Sequence, residues 1–158
     1  MTPAQIYLLV FLIGVIAGLR AFTAPTVVAF AAHQNWINVH ASPLAFMSST
    51  VALVIFVLLA IFEIVNDKLP KTPPRTKGVG LIARVLLGGL AGATLAGSQG
   101  AGAAIGIILG IVGALAGTFA GYQVRTRLVA ALKVPDFVIA LLEDAVAIGG
   151  GLFIVSRF

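Results

Sequence analysis

AGAAIGIILGIVGALAGTFAGY, residues 101–122, runs for 22 residues without a charged side chain. Its glycines stand at 102, 106, 110, 113, 117 and 121. Steps of three and four put all six on one stripe of an α-helix. A bilayer core is about 30 Å thick, and about 20 apolar helical residues cross it. Lipid supplies no hydrophobic drive between helices, so small residues serve by letting backbones approach until van der Waals contact holds them. The stretch reads as a membrane-spanning helix with a glycine zipper, Gly102, Gly106, Gly110, Gly113, Gly117 and Gly121. The preceding apolar run repeats the device with Gly88 and Gly92, and the following one carries Ala147 and Gly149-Gly150-Gly151. Tight helix packing is the plain reading of these stripes; a pore lining is the alternative.

Composition extends this reading to the whole chain. Of 158 residues, 60% are hydrophobic and 9% charged, with a mean hydropathy of +1.13. Soluble domains are about 45–50% apolar and about a quarter charged. A water-soluble fold of this size lacks the interior to hide so much apolar surface. The expectation is one domain over 1–158, an all-α polytopic transmembrane bundle of about five spans: 4–32, 44–65, 78–96, 101–122 and 137–155. The first is long, and Arg20 and Pro25 interrupt it. It is either one kinked, tilted helix or a span to about Leu19 followed by a re-entrant half-helix from Thr23–Pro25. No Lys or Arg precedes it and no small-x-small cleavage site follows, so it reads as a retained span. His33–Pro43 forms a polar connector with Trp36 as interfacial anchor. The prolines of 66–77 forbid helix there. Ser98-Gln99-Gly100 is a turn, and Asp136 is placed to cap the last helix.

The charges orient the bundle. Segments 66–77 and 122–135 hold Lys68, Lys71, Arg75, Lys77, Arg125, Arg127 and Lys133, whereas connectors 33–43 and 98–100 hold no Lys or Arg. The basic loops are therefore expected in the cytoplasm, with the N-terminus inside and the C-terminus outside. An even number of crossings in the first stretch would move the N-terminus outside. Basic residues at the ends of apolar runs mark membrane orientation, so nucleic acid is not an expected partner despite the net charge of +5.

Arg84 lies four residues before Gly88, Arg125 four after Gly121, and Glu143 four before Ala147. Three charges thus fall on the close-packing faces. A charge in the hydrocarbon costs about 2.5–3.5 kcal/mol at the least and seeks a partner or water. At about 1.5 Å per residue, Glu63, Arg84, Glu143 and Asp144 reach a similar level in the basic half. Arg84 and Arg125 are expected to meet Glu63 and Glu143 or Asp144 there. Glu63 and Asp67 share a helix face. Arg20 would lie nearer the opposite side on a straight first span, and deeper on a re-entrant one. The candidate solute or ion site is Arg20, Glu63, Asp67, Arg84, Arg125, Glu143 and Asp144; the competing reading is a set of buried pairs fixing helix register. Glu143-Asp144 would be an acid–base pair only if water reached it.

The chain has no cysteine, nucleophile elbow, phosphate loop or zinc helix. His33 and His40 read as solvated loop residues. No metal, cofactor or enzymatic activity is expected. Leu59-Ala60-Ile61-Phe62-Glu63 matches Ile139-Ala140-Leu141-Leu142-Glu143 weakly, as an inverted repeat would.

Four blocks carry a likeness to a family: Gly18-Leu19-Arg20-Ala21-Phe22; Asn66-Asp67-Lys68-Leu69-Pro70-Lys71-Thr72-Pro73; Ala116-Gly117-Thr118-Phe119-Ala120-Gly121-Tyr122; and Leu142-Glu143-Asp144-Ala145-Val146-Ala147-Ile148-Gly149-Gly150-Gly151. In this order, over nearly the whole chain, they resemble small bacterial membrane proteins grouped as domain of unknown function family 4126. The resemblance implies a multi-span membrane protein and no established activity; the expected location is the bacterial inner membrane. It sets Arg20, Asp67, Glu143 and Asp144 inside recognisable blocks. The expected function is a small transporter- or channel-like protein in the lipid bilayer, as a homo-oligomer. The alternative is a non-catalytic subunit or assembly factor of a larger membrane complex. A weaker third is an intramembrane enzyme acting on lipid or isoprenoid substrates.

Overall fold

The computed structural model describes residues 1–40, 42–68 and 76–158. Among the described residues there are six α-helices: α1 (Pro3–Leu19), α2 (Thr23–His33), α3 (Thr50–Asn66), α4 (Gly78–Ser98), α5 (Ala103–Leu132) and α6 (Asp136–Val155). A single 3-10 turn, Ala45–Ser48, precedes α3, and no strand occurs among the described residues. The basic loop residues Lys71 and Arg75 lie outside them.

Local chemistry sets the boundaries. Thr2 and Gln5 form a reciprocal capping box, with Pro3 at the first helical position of α1. The Ser49 side chain accepts from the Ala52 amide and starts α3 six residues later than the expected span. Gly100 and Gly102 adopt left-handed φ values of +68° and +88°, which turn the chain between α4 and α5. Gly102 is thus the residue before α5, with open space around it, and not part of the zipper. Nothing breaks α5 until Lys133 turns left-handed ahead of Pro135, so it runs ten residues past its expected end. Pro135, not Asp136, holds the cap position of α6.

Three helices, α4, α5 and α6, are long and apolar enough to cross a membrane, fewer than the five expected spans. α1 and α3 are apolar but have 17 residues each, about 25 Å. The first apolar stretch is not one helix. Arg20 is extended (φ −138°, ψ 110°), ends α1, and leaves α2 as an 11-residue half-helix.

Close contacts fix the helix directions. Gly14 meets Gly110 and Gly18 meets Ala114–Thr118, so α1 and α5 are parallel. Gly88 meets Gly110 and Gly92 meets Gly106, so α4 is antiparallel to α5. Ile16 touches Gly150 while Arg20 pairs with Asp144, so α6 opposes α1. Glu63 meets Ala21 and Ser48 meets His33, so α3 opposes α2. Both termini therefore share one end of the bundle with the end of α2, the 3-10 turn and the 99–102 connector. The first stretch runs out and back, which is the even-crossing alternative and not the single span with termini at opposite ends.

α2 is largely buried, eight of its eleven residues. Ala60 is the only buried residue of α3. The outer surface is apolar, with Val51, Leu58, Phe62, Leu86, Ile108 and Val146 exposed, while Arg20, Arg84 and Asp144 are buried. This inverts the distribution that water selects and suits lipid. Trp36, half exposed, meets Phe30 edge-on at 5.5 Å near the end that carries the termini.

Candidate functional site

Breaking a helix frees backbone groups, and at membrane depth only protein or a wet cavity can satisfy them. Here three other helices do so. The Gly18 carbonyl accepts from Arg84 Nε of α4 at 3.1 Å and from Thr118 Oγ1 of α5 at 3.3 Å. The Ala21 and Phe22 amides donate to the two oxygens of Glu63, from the last turn of α3, at 2.8 and 2.9 Å. A carboxylate thus sits on the N-terminal end of α2, where the helix dipole favours negative charge.

The broken residue itself carries the deepest charge. Arg20 is 1% exposed. Its Nη2 donates to Asp67 Oδ2 at 2.9 Å, and its Nε lies 2.6 Å from Asp144 Oδ1, an ion pair off the hydrogen-bond angle. Lys68 Nζ takes the other Asp144 oxygen at 2.7 Å. Arg125 Nη1 reaches Asp67 Oδ2 at 2.8 Å and Glu143 Oε2 at 3.3 Å, and its other face holds Asp136. Arg84 Nη2 lies 3.5 Å from Glu63 Oε1. All five acidic residues of the chain are therefore paired: Asp67, Asp136, Glu143 and Asp144 in one network with Arg20, Lys68 and Arg125, and Glu63 with Arg84, the two groups meeting at the break where Glu63 holds the amide beside Arg20. Arg84 is six residues from the start of α4 and fourteen from its end, about 9 and about 21 Å. The cluster thus lies about a third of the way in from the basic end.

The family model described as Domain of unknown function (DUF4126) matches residues 7–156. The chain belongs to this family. No curated protein and no solved structure matches it. The matched region takes in α2 to α6 whole and most of α1, so the break and every charge of the cluster lie inside the DUF4126 domain.

In this DUF4126 chain all seven charged candidates read from the sequence lie in one place. Arg84 meets Glu63 and Arg125 meets Glu143 as the spacing predicts. Arg20 lies at the basic end because α1 runs towards it. Three contributors were not among the candidates. Lys68 adjoins Asp67, and Thr118 is a hydroxyl on the zipper stripe, so each left a faint signal. Asp136 left a misleading one, since its carboxylate serves Arg125 rather than a cap. Zipper residues Gly88, Gly92, Gly106, Gly110, Gly113 and Gly117 all pack inside the chain; Gly121 is half-buried in α5. His33 Nδ1 bonds the Ser48 carbonyl and His40 reaches Asn35, and no metal-binding group of three occurs among the described residues.

Asp67 follows the last residue of α3. Burial works against its charge, but hydrogen bonds from Arg20 and Arg125 outweigh this and hold its carboxyl at about 2, below the usual 3.8. A depressed carboxylate stabilises the fold above its unfolded value and loses that contribution as pH falls towards its folded one. The DUF4126 protein is therefore expected to lose stability between about pH 4 and about pH 2 more steeply than Asp67→Asn. Unfolding in detergent across that range, wild type against variant, checks it; parallel curves would count against the pairing.

Proposed function

We propose that this protein is a small membrane transporter whose solute binds at the α1–α2 break, among Arg20, Glu63, Asp67, Arg84, Arg125, Glu143 and Asp144. One observation supports the reading: the first apolar stretch is interrupted at Arg20, and side chains of α3, α4 and α5 hold the freed backbone groups. Regular helix would need none of them. Secondary transporters use discontinuous helices in this way, with half-helix ends and unwound backbone at the solute site. Ionisable groups within membrane segments mark solute or proton paths by default. The positive-inside rule puts loops 66–77 and 122–135 in the cytoplasm, and the family resemblance suggests a bacterial inner membrane. The zipper glycines of α4 and α5 are occupied internally, so the proposed homo-oligomer would join through another face, such as the one open at Gly149 of α6.

The test is flux. Purified protein in proteoliposomes is challenged with jumps of proton, sodium, potassium, chloride, phosphate and acetate, and currents are recorded. Wild type is expected to move at least one of these. Glu143→Gln should abolish that current while helical content and elution volume stay unchanged. A silent wild type, or a Glu143→Gln current equal to wild type, would reject the site.

A second reading is a non-catalytic subunit of a larger membrane complex. The pairing of the charges with one another favours it, since such pairs can serve as register pins. Purification in mild detergent from the native membrane would then give stoichiometric partners, and the isolated chain would conduct nothing.

A further inference from the structure

α3 is attached unlike the other helices. It buries only Ala60, and Val54, Leu58, Phe62 and Val65 face outward. In lipid such faces lose little by moving. Its first turn is anchored by packing: Met47, in the preceding 3-10 turn, is fully buried, and the Ser48 carbonyl bonds His33. Its last turn is held by charge. Glu63 grips the Ala21 and Phe22 amides and Arg84, Asp67 grips Arg20 and Arg125, and Lys68 grips Asp144.

We propose that α3 is a gate hinged at residues 45–49. In the closed state the Glu63 carboxylate holds the place that a small oxyanion takes when the gate swings out, and Asp67 and Lys68 tie the gate shut. The groups that receive these two carboxylates are all donors, and all belong to other elements: two amides and Arg20 at the break, Arg84 on α4, Arg125 on α5. Withdrawing α3 takes Lys68 away with the two carboxylates; Arg20 keeps Asp144 and Arg125 keeps Glu143 and Asp136, whereas the Ala21 and Phe22 amides lose their acceptor and Arg84 loses Glu63. Buried amides without an acceptor at the start of α2 are costly, so an entering anion restores what Glu63 supplied. Two neighbouring amides and the Arg84 guanidinium suit an oxyanion, carboxylate or phosphate, through charge-assisted N–H donors. A cation would meet only donors at that place. The oxyanion as cargo rests on the transport reading above; the hinge motion does not.

The chain has no cysteine, so spin labels can be placed singly. Phe62→Cys with Leu141→Cys reports the charged end of α3 against α6; Val51→Cys with Phe153→Cys reports the hinged end. All four sites are exposed. Pulsed electron paramagnetic resonance in lipid nanodiscs reads each pair, with saturating acetate, saturating phosphate, or neither. Either anion is expected to add a population longer by about one helical turn, ~5 Å, at 62/141 and none at 51/153. Glu63→Gln with Asp67→Asn should show that population without anion. If this double variant fails to fold, Lys68→Ala, which removes only the outermost tie, should show it in part. Wild-type distances in the folded variants would overturn the gate whether or not flux is seen. Opening in the variants but not with either anion would overturn the oxyanion assignment. A gate that opens with anion in a protein that carries no flux would sink the transport reading alone.

Discussion

Arg20→Met is expected to lower the unfolding free energy by about 3 kcal/mol, the lower end of the range for removing one partner of a buried ion pair. Methionine fills most of the arginine stem's volume, so the loss is chiefly electrostatic. Asp67 and Asp144 each lose a guanidinium contact at 2.9 and 2.6 Å. The lower end applies because Arg125 remains on Asp67 and Lys68 on Asp144. Neutralising the stranded carboxylate should recover part of the loss, so Arg20→Met with Asp144→Asn is expected to be more stable than Arg20→Met alone. Reversible unfolding in detergent, run as a double-mutant cycle, reads this directly. An Arg20→Met protein as stable as wild type would mean that water, not carboxylate, satisfies Arg20.

The packing of the glycine stripe and the gathering of the charged candidates were legible because each is a local pattern. Gly106, Gly110, Gly113 and Gly117 announce a packing face without reference to any partner. The Arg84–Glu63 and Arg125–Glu143 pairs followed from counting turns inward from the loops. The path of residues 20–32 was not legible, for a physical reason. An apolar run can break wherever some other element supplies donors and acceptors, and the groups that satisfy Gly18, Ala21 and Phe22 stand 41 to 100 residues away. Hydropathy averages over a window and cannot see them. The same blindness overestimated the spans. Residues 44–49 join the span by hydropathy, yet Ala45–Ser48 form a 3-10 turn and Ser49 caps the helix that follows. The stripe also could not say which helices it faces. α1, which carries only Gly14 and Gly18, proved to be the third member of the glycine contact, and α6 with its Gly149-Gly150-Gly151 lies outside it.

Gly110→Leu is expected to prevent α4 and α5 from packing, with loss of a monodisperse folded species. A Cβ built on Gly110 would collide with the Gly88 carbonyl oxygen and stand 2.8 Å from its carbon. Overpacked side-chain cores cost about 1–3 kcal/mol because rotamers and neighbours give way. Here the obstructing atoms are backbone, so the helices themselves must separate and the cost exceeds that range. Gly110→Ala should be folded but clearly weakened. Gly149→Leu is the control: nothing lies within 4 Å of its would-be Cβ, and its effect should stay within about 0.5 kcal/mol. Elution profile and helical content separate two accounts of the stripe. If it served a second copy of the chain, Gly110→Leu would yield a folded, smaller species. Packing within the chain predicts an unfolded or aggregated one. The damage should also travel, since Gly88 is one turn from Arg84. Moving α4 outward draws the Arg84 guanidinium from the Gly18 carbonyl and from Glu63, so the break in α1–α2 loses its supports as the glycine contact opens.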